Sequence, residues 1–120
     1  MARCYRKIKD LNTIAILTQH IHYYIKGINQ VLEGGNLEIR DSYSFDFPPI
    51  QSEEDWQVVL ENFWADSENF YQNLMKISDE KLHQAFVEEK YGTFLRNMDA
   101  MIEHAYYHLG QIVLIKKLLH

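Results

Sequence analysis

Near the C-terminus the chain reads Met101-Ile102-Glu103-His104-Ala105-Tyr106-Tyr107-His108-Leu109-Gly110-Gln111-Ile112. On a helix, side chains four residues apart lie one turn above each other, so His104 and His108 can point both imidazoles at one small object, as metal-ligating pairs do. Six histidines in 120 residues would produce roughly 0.3 such pairs by chance, so the spacing needs a third ligand before it carries weight. His20 and His22, in the segment from Asn12 to Leu32, are the candidates. At about 100° per residue, His20 lies about 60° from Leu17, beside an apolar stripe and close to Ile21 and Tyr24, whereas His22 falls about 140° away. His20 is therefore expected to face inward and His22 outward. Together His20, His104 and His108 would form a facial three-histidine metal site that keeps positions open for water or a substrate, the arrangement a catalytic metal requires.

A plainer reading stands beside this one. A histidine next to an apolar stripe is commonly a core residue hydrogen-bonded to backbone or to a tyrosine, and Tyr23, Tyr24, Tyr106 and Tyr107 are available. His83, in a polar segment, and His120, at the terminus, are expected to be solvent-exposed. Tyr107 and Gln111 are candidates for contacts that support the histidines or meet a substrate, with an ordinary structural role as the alternative. Glu103 faces well away from His104, and no carboxylate is marked by its spacing as a general base.

Helices must position these residues. Ile14, Leu17, Ile21, Tyr24, Ile25, Ile28, Val31 and Leu32 recur with the period of an amphipathic helix, with Asn12 as a plausible cap and Gly34-Gly35 as a left-handed stop. Residues 36–51 read as a connection without regular structure, whose Tyr43, Phe45 and Phe47 pack their rings on a helix. Ser52-Glu53-Glu54-Asp55 resembles a capping box and opens a helix with an apolar stripe at Trp56, Val59, Leu60, Phe63, Phe70 and Leu74, ending near Ile77. Ser78 starts a short helical turn around Leu82, and the ambiguous stretch from Phe86 to Tyr91 ends at Gly92. Thr93 caps a last helix with an apolar face through Phe94, Met98, Met101, Ile102, Ala105, Leu109, Ile112 and Leu119. Trp56, Trp64, Met98 and Met101 are expected in the core. Gly110 costs a helix about 1 kcal/mol relative to Ala, which predicts close approach of a neighbouring helix. Three long helices, a short one and no convincing strand make the class all-α.

Composition narrows the functions. With 120 residues and 47% hydrophobic content, the chain fits a single domain over residues 1–120 with a modest core. A net charge of −5 opposes nucleic-acid binding, and the one basic cluster, Arg3, Arg6, Lys7 and Lys9, is a short solvated lead-in. The lone Cys4 excludes an internal disulfide, no apolar run resembles a signal peptide, and no stretch is long enough to span a membrane. The expected location is the cytoplasm.

Two stretches carry a family resemblance: Asn12-Thr13-Ile14-Ala15 through His20-Ile21-His22-Tyr23-Tyr24-Ile25, and Ile102-Glu103-His104 through Tyr107-His108-Leu109-Gly110-Gln111-Ile112. With the Tyr43-Ser44-Phe45-Asp46-Phe47-Pro48 loop and the Tyr91-Gly92-Thr93 turn, the chain resembles small bacterial members of the DinB-like (DNA-damage-inducible) superfamily over nearly everything after Leu11. The resemblance implies a four-helix bundle holding a divalent metal, often nickel or zinc, on one histidine of an early helix and a pair on the last. The matching positions are His20, His104 and His108. His22 falls where relatives often carry another polar residue. Family members generally begin with a further long helix, which this chain lacks before Asn12. An apolar groove would then stay open to water, to be covered by a partner chain or in part by the basic lead-in, and a homodimer is expected.

Characterised branches of that superfamily include metal-dependent transferases of low-molecular-weight thiols such as bacillithiol or mycothiol. The resemblance thus implies a thiol S-transferase acting on an electrophilic substrate, or a related hydrolase. The alternatives are a non-catalytic, stress-associated metal- or ligand-binding module, its pocket filled by Tyr and Phe, and a helical interaction protein whose histidines are core residues.

Overall fold

In the computed structural model, which describes residues 4–119, each of the four α-helices among the described residues starts on a hydroxyl. Thr13, Ser52, Ser78 and Thr93 hold extended backbone, and each side-chain oxygen accepts the N–H three residues ahead at 3.1 Å. That satisfies one of the amides that the first turn leaves without a partner. The helices that follow are α1 (Ile14–Leu32), α2 (Glu53–Lys76), the single turn α3 (Asp79–Leu82) and α4 (Phe94–Leu118). Asn12 is exposed and one residue too early; the oxygen that reaches the Ile16 amide is Thr13's. At the other end of α1, Gly34 takes φ +95°, the left-handed conformation expected of the stop.

Among the described residues the class is all-α: the only β-type pairing is an isolated bridge between Ala85 and Thr93. The core lies along α1 and the N-terminal half of α4. Ile21, Ile25 and Ile28 pack there with Met98, Met101, Phe94 and Phe86, the last supplied by the connection between α3 and α4. α1 packs against both α2 and α4, which scarcely touch each other. α2 therefore buries none of its residues fully, although Trp56, Val59, Leu60, Phe63, Phe70 and Leu74 are half-buried along the expected stripe.

The gap between α2 and α4 is an apolar groove of about 500 Å³ with α1 as its floor. It explains three departures from expectation. Trp64, expected in the core, is 65% exposed on the groove's rim, and Ile102 and Leu109 of the apolar face are 42% and 48% exposed. Their pattern is that of core residues, but no helix among the described residues covers them. Residues 4–11 do not line the groove, so the described part of the basic lead-in is not its cover; Arg6, Lys7 and Lys9 are exposed, and Arg3 lies outside the described residues. Gly110 is also exposed, with nothing within 4 Å of where a Cβ would stand, so no helix among the described residues approaches it closely. The close approach occurs instead at Gly27 in α1, where an added Cβ would meet Ile39 Cγ1 at 2.3 Å.

That contact brings residues 36–51 across the other flank of α1. The connection contains one 3-10 turn, Asp41–Tyr43. Of its three rings, Phe45 lies on a helix side chain and Phe47 is half-buried, but Tyr43 is 55% exposed. The buried residue is the polar one between them: Ser44 is 2% exposed. No helix among the described residues is long and apolar enough to cross a membrane.

Candidate metal centre

His20 arrives from α1, and His104 and His108 from α4, on the side of the α1–α4 contact away from the groove. His20 and His108 are 4% and 7% exposed, and His104 is half-buried. The His104 Nε2 stands 3.1 Å from His20 Nε2 and 2.9 Å from His108 Nε2. One ligand nitrogen from each ring lies within 4.8 Å of the other two. Nitrogens bonded to one ion at about 2.0–2.1 Å stand roughly 2.9 Å apart when their bonds meet at right angles and roughly 3.3 Å apart in a tetrahedron. Both separations fall within that interval, one at its right-angled end and one at its middle.

The remaining ring nitrogens decide where the protons are. His20 Nδ1 donates to the Ser44 carbonyl at 2.8 Å, and a carbonyl can only accept. His108 Nδ1 donates to Gln111 Oε1 at 2.6 Å, one turn further along α4. In their neutral forms both rings therefore turn a bare Nε2 lone pair inward. At most one hydrogen, on His104 Nε2, is left to serve two short contacts, whereas a cation between the rings would satisfy all three lone pairs. Such outer hydrogen bonds orient metal-ligating imidazoles and raise their basicity.

Protonation is disfavoured as well. Burial pushes the His104 imidazole down to about 4, the neighbouring His108 and His20 add to the shift, and Asp41 opposes it. Burial also lowers His20, against the pull of the Ser44 carbonyl. Near neutral pH these rings are uncharged, the form that binds metal. Three histidines this close together can hold a metal ion.

Aromatic rings close the site. Phe45 lies flat on His20, with centroids 4.0 Å apart and planes 5° apart. Tyr24 sits edge-on to His20 and His104 at 5.2 and 4.9 Å, its hydroxyl donating to Asp41 Oδ1. Burial, then Asp41, raises the Tyr24 phenol, so it remains a donor. Tyr107 meets His108 edge-on at 5.0 Å but is 65% exposed. Gln111 thus acts through His108, and Glu103 is exposed, as its position on the helix required.

The structure corrects the reading of His22. It is half-buried against α2, and its Nε2 contacts Asp66 Oδ2 at 2.5 Å. The pair joins a polar seam in which Asn29 Nδ2 donates to the Asp66 carbonyl at 2.8 Å and Asn73 Nδ2 to Asn29 Oδ1 at 3.3 Å. The far face of α1 is thus the face that α2 covers. His83 is exposed as expected, and His120 lies outside the described residues. Sequence reasoning missed Asp41, Ser44 and Phe45 as parts of the site. Tyr24 did carry a signal, standing one turn after His20 on the same face.

Compared with protein-family models, curated proteins and solved structures, the chain finds no match in any of the three.

Proposed function

We propose that this chain is a divalent-metal-binding protein of the DinB-like kind, with His20, His104 and His108 as ligands and nickel or zinc as the metal. The observation that carries this reading is the convergence of three Nε2 atoms from two helices, with the opposite nitrogens of His20 and His108 tied to Ser44 and Gln111. A purely structural cluster needs no such shortage of hydrogens around its centre. The choice of nickel or zinc rests on the family resemblance and on the preference of imidazole for such ions.

Within this reading the enzymatic form is a metal-dependent thiol S-transferase, or a related hydrolase. A divalent cation held there would supply Lewis acidity, lowering the pKa of a thiol or water beside it into the neutral range. The chain's own residues orient the imidazoles, disfavour protonation of His20 and His104 by burial and shield one side with Phe45 and Tyr24. The half-buried His104 leaves the site an approach from solvent.

A second reading, a non-catalytic metal-binding module, is favoured by the same rings. Phe45 and Tyr24 occupy space that a substrate would need, and none of the residues lining the large groove is one of the three histidines. The experiment that separates the readings starts from protein purified without a histidine tag or chelator and loaded with Ni²⁺ or Zn²⁺. About one equivalent of metal per chain, lost in His108→Ala, supports the centre; less than about a tenth of an equivalent refutes it. Transfer of a low-molecular-weight thiol onto an electrophile, abolished in the same variant, supports the enzyme. Metal without turnover supports the module.

A further inference from the structure

Four residues of α1, His20, Tyr23, Tyr24 and Gly27, share one face of the helix, within about 100° of arc and over about 10 Å. The connection to α2 crosses that face in the opposite direction and meets the four in turn. At Gly27 an added Cβ would stand 2.3 Å from Ile39 Cγ1. The Tyr23 hydroxyl accepts the Arg40 N–H at 2.8 Å and donates to the Arg40 carbonyl at 3.2 Å. Tyr24 donates to Asp41 Oδ1, and His20 Nδ1 donates to the Ser44 carbonyl at 2.8 Å, with Phe45 flat on the imidazole. Ser44 is itself anchored, since its N–H and its Oγ both donate to the Asp41 carbonyl, at 3.1 and 2.8 Å. Neither Tyr23 nor Gly27 shares a hydrogen bond or a ring contact with the three histidines. A glycine inside a helix costs about 1 kcal/mol relative to Ala, and the side chain that the missing Cβ of Gly27 accommodates is Ile39.

We propose that residues 39–45 form a strap whose closure on α1 sets the affinity of the centre for its metal, with Tyr23 and Gly27 as positioning residues; this rests on the metal-binding reading above. Closed, the strap constrains His20 twice. The Ser44 carbonyl keeps the proton on Nδ1 and leaves Nε2 bare, and Phe45 fixes the plane of the ring at a centroid distance of 4.0 Å. With the strap open, the imidazole turns freely and its proton moves between the two nitrogens, so metal binding must carry the cost of ordering it. Outer partners of a ligating histidine typically change metal affinity by about 10–100-fold. The coupling is reciprocal: whatever factor the closed strap adds to the affinity for metal, bound metal adds to the closure of the strap. Tyr23 and Gly27 act at the far end of the same strip of contacts, where they touch the strap and no ligand.

Calorimetric titration with Zn²⁺ alone tests the proposal, with circular dichroism to verify folding. Gly27→Ala favours helix by propensity but pushes Ile39 away, so it should weaken Zn²⁺ binding by about ten-fold without loss of helix content. Tyr23→Phe removes both bonds to Arg40 and should weaken binding by about three- to ten-fold. Adding Ile39→Ala to Gly27→Ala removes the two atoms nearest the new methyl, and should bring affinity back to within about two-fold of the parent. A change of affinity that is reversed by a second substitution in the strap is not what general destabilisation produces. In the parent, Zn²⁺ should slow hydrogen exchange at the Arg40 and Ser44 amides by more than about ten-fold. Equal affinity in the parent and both single variants, no recovery in the double variant, or exchange at those amides that Zn²⁺ leaves unchanged would each overturn the strap while leaving the metal centre standing. A parent that binds no Zn²⁺ or Ni²⁺ would remove the metal reading, and the strap with it.

Discussion

The same two helices, α1 and α4, meet solvent on two flanks and treat it in opposite ways. On one flank His20, His104 and His108 are capped by a connection that supplies a carbonyl, a ring and a carboxylate within a few residues of one another. On the other, Ile102, Tyr106 and Leu109 stand beside an apolar groove open to water. Polar groups need partners at fixed distance and angle, so that flank is complete with three or four directed contacts. Apolar groups need only area removed from water, and any surface of suitable shape can provide it. One chain can therefore finish its polar site alone while its apolar face stays open.

The largest effect that would break this contrast is loss of a ligand. His20→Ala should lower affinity for Ni²⁺ or Zn²⁺ by more than about 100-fold, read by isothermal titration, whereas Ile102→Ala beside the groove should leave it unchanged. A matching loss in both would show that the two flanks are coupled.

Packing should differ almost as sharply. Met98→Ala, at 3% exposure, should cost about 2–5 kcal/mol of unfolding free energy. Trp64→Ala should cost less than about 1 kcal/mol despite the larger side chain. Equal costs would mean that the groove is closed within a single chain.

Support for the ligands should show next. Gln111→Leu keeps every imidazole but removes the acceptor from His108 Nδ1, and should weaken metal binding by about 10–100-fold. Unchanged affinity would show that the ring needs no such anchor.

The smallest effect is in the metal-free protein's response to acid. His20 and His104 both have lowered pKa values in the fold, against about 6.5 in the unfolded chain. Between about 6.5 and the value of about 4 to which burial pushes His104, the unfolded chain binds more protons, so stability falls as pH drops through that window. Above it the two histidines contribute no slope. Melting temperature should decline from neutral pH toward pH 4, and His104→Phe should flatten the decline. A variant with the parent's slope would place the acid sensitivity elsewhere.

Much of this was legible in the residue order. Ser52, Ser78 and Thr93 marked their helix starts, Gly34 marked the end of α1, and the turn spacing of His104 and His108 with the inward phase of His20 selected the three rings now found together. These are properties of one helix at a time, set by local hydrogen bonding and a period of about 3.6 residues. What lay beyond reach depended on which element covers which face. Periodicity shows that His22 leaves the apolar stripe but not that α2, carrying Asp66, packs on that side. It marks Trp64, Ile102 and Leu109 as apolar without showing that the space beside them is empty of chain. Nor could an irregular connection announce that Ser44 would lie buried with its carbonyl on His20. The sequence by itself determined the helices and the phase of their side chains; contacts across 24 residues for Ser44 and 44 for Asp66 were decided only when the helices packed, because no local interaction specifies which surfaces meet.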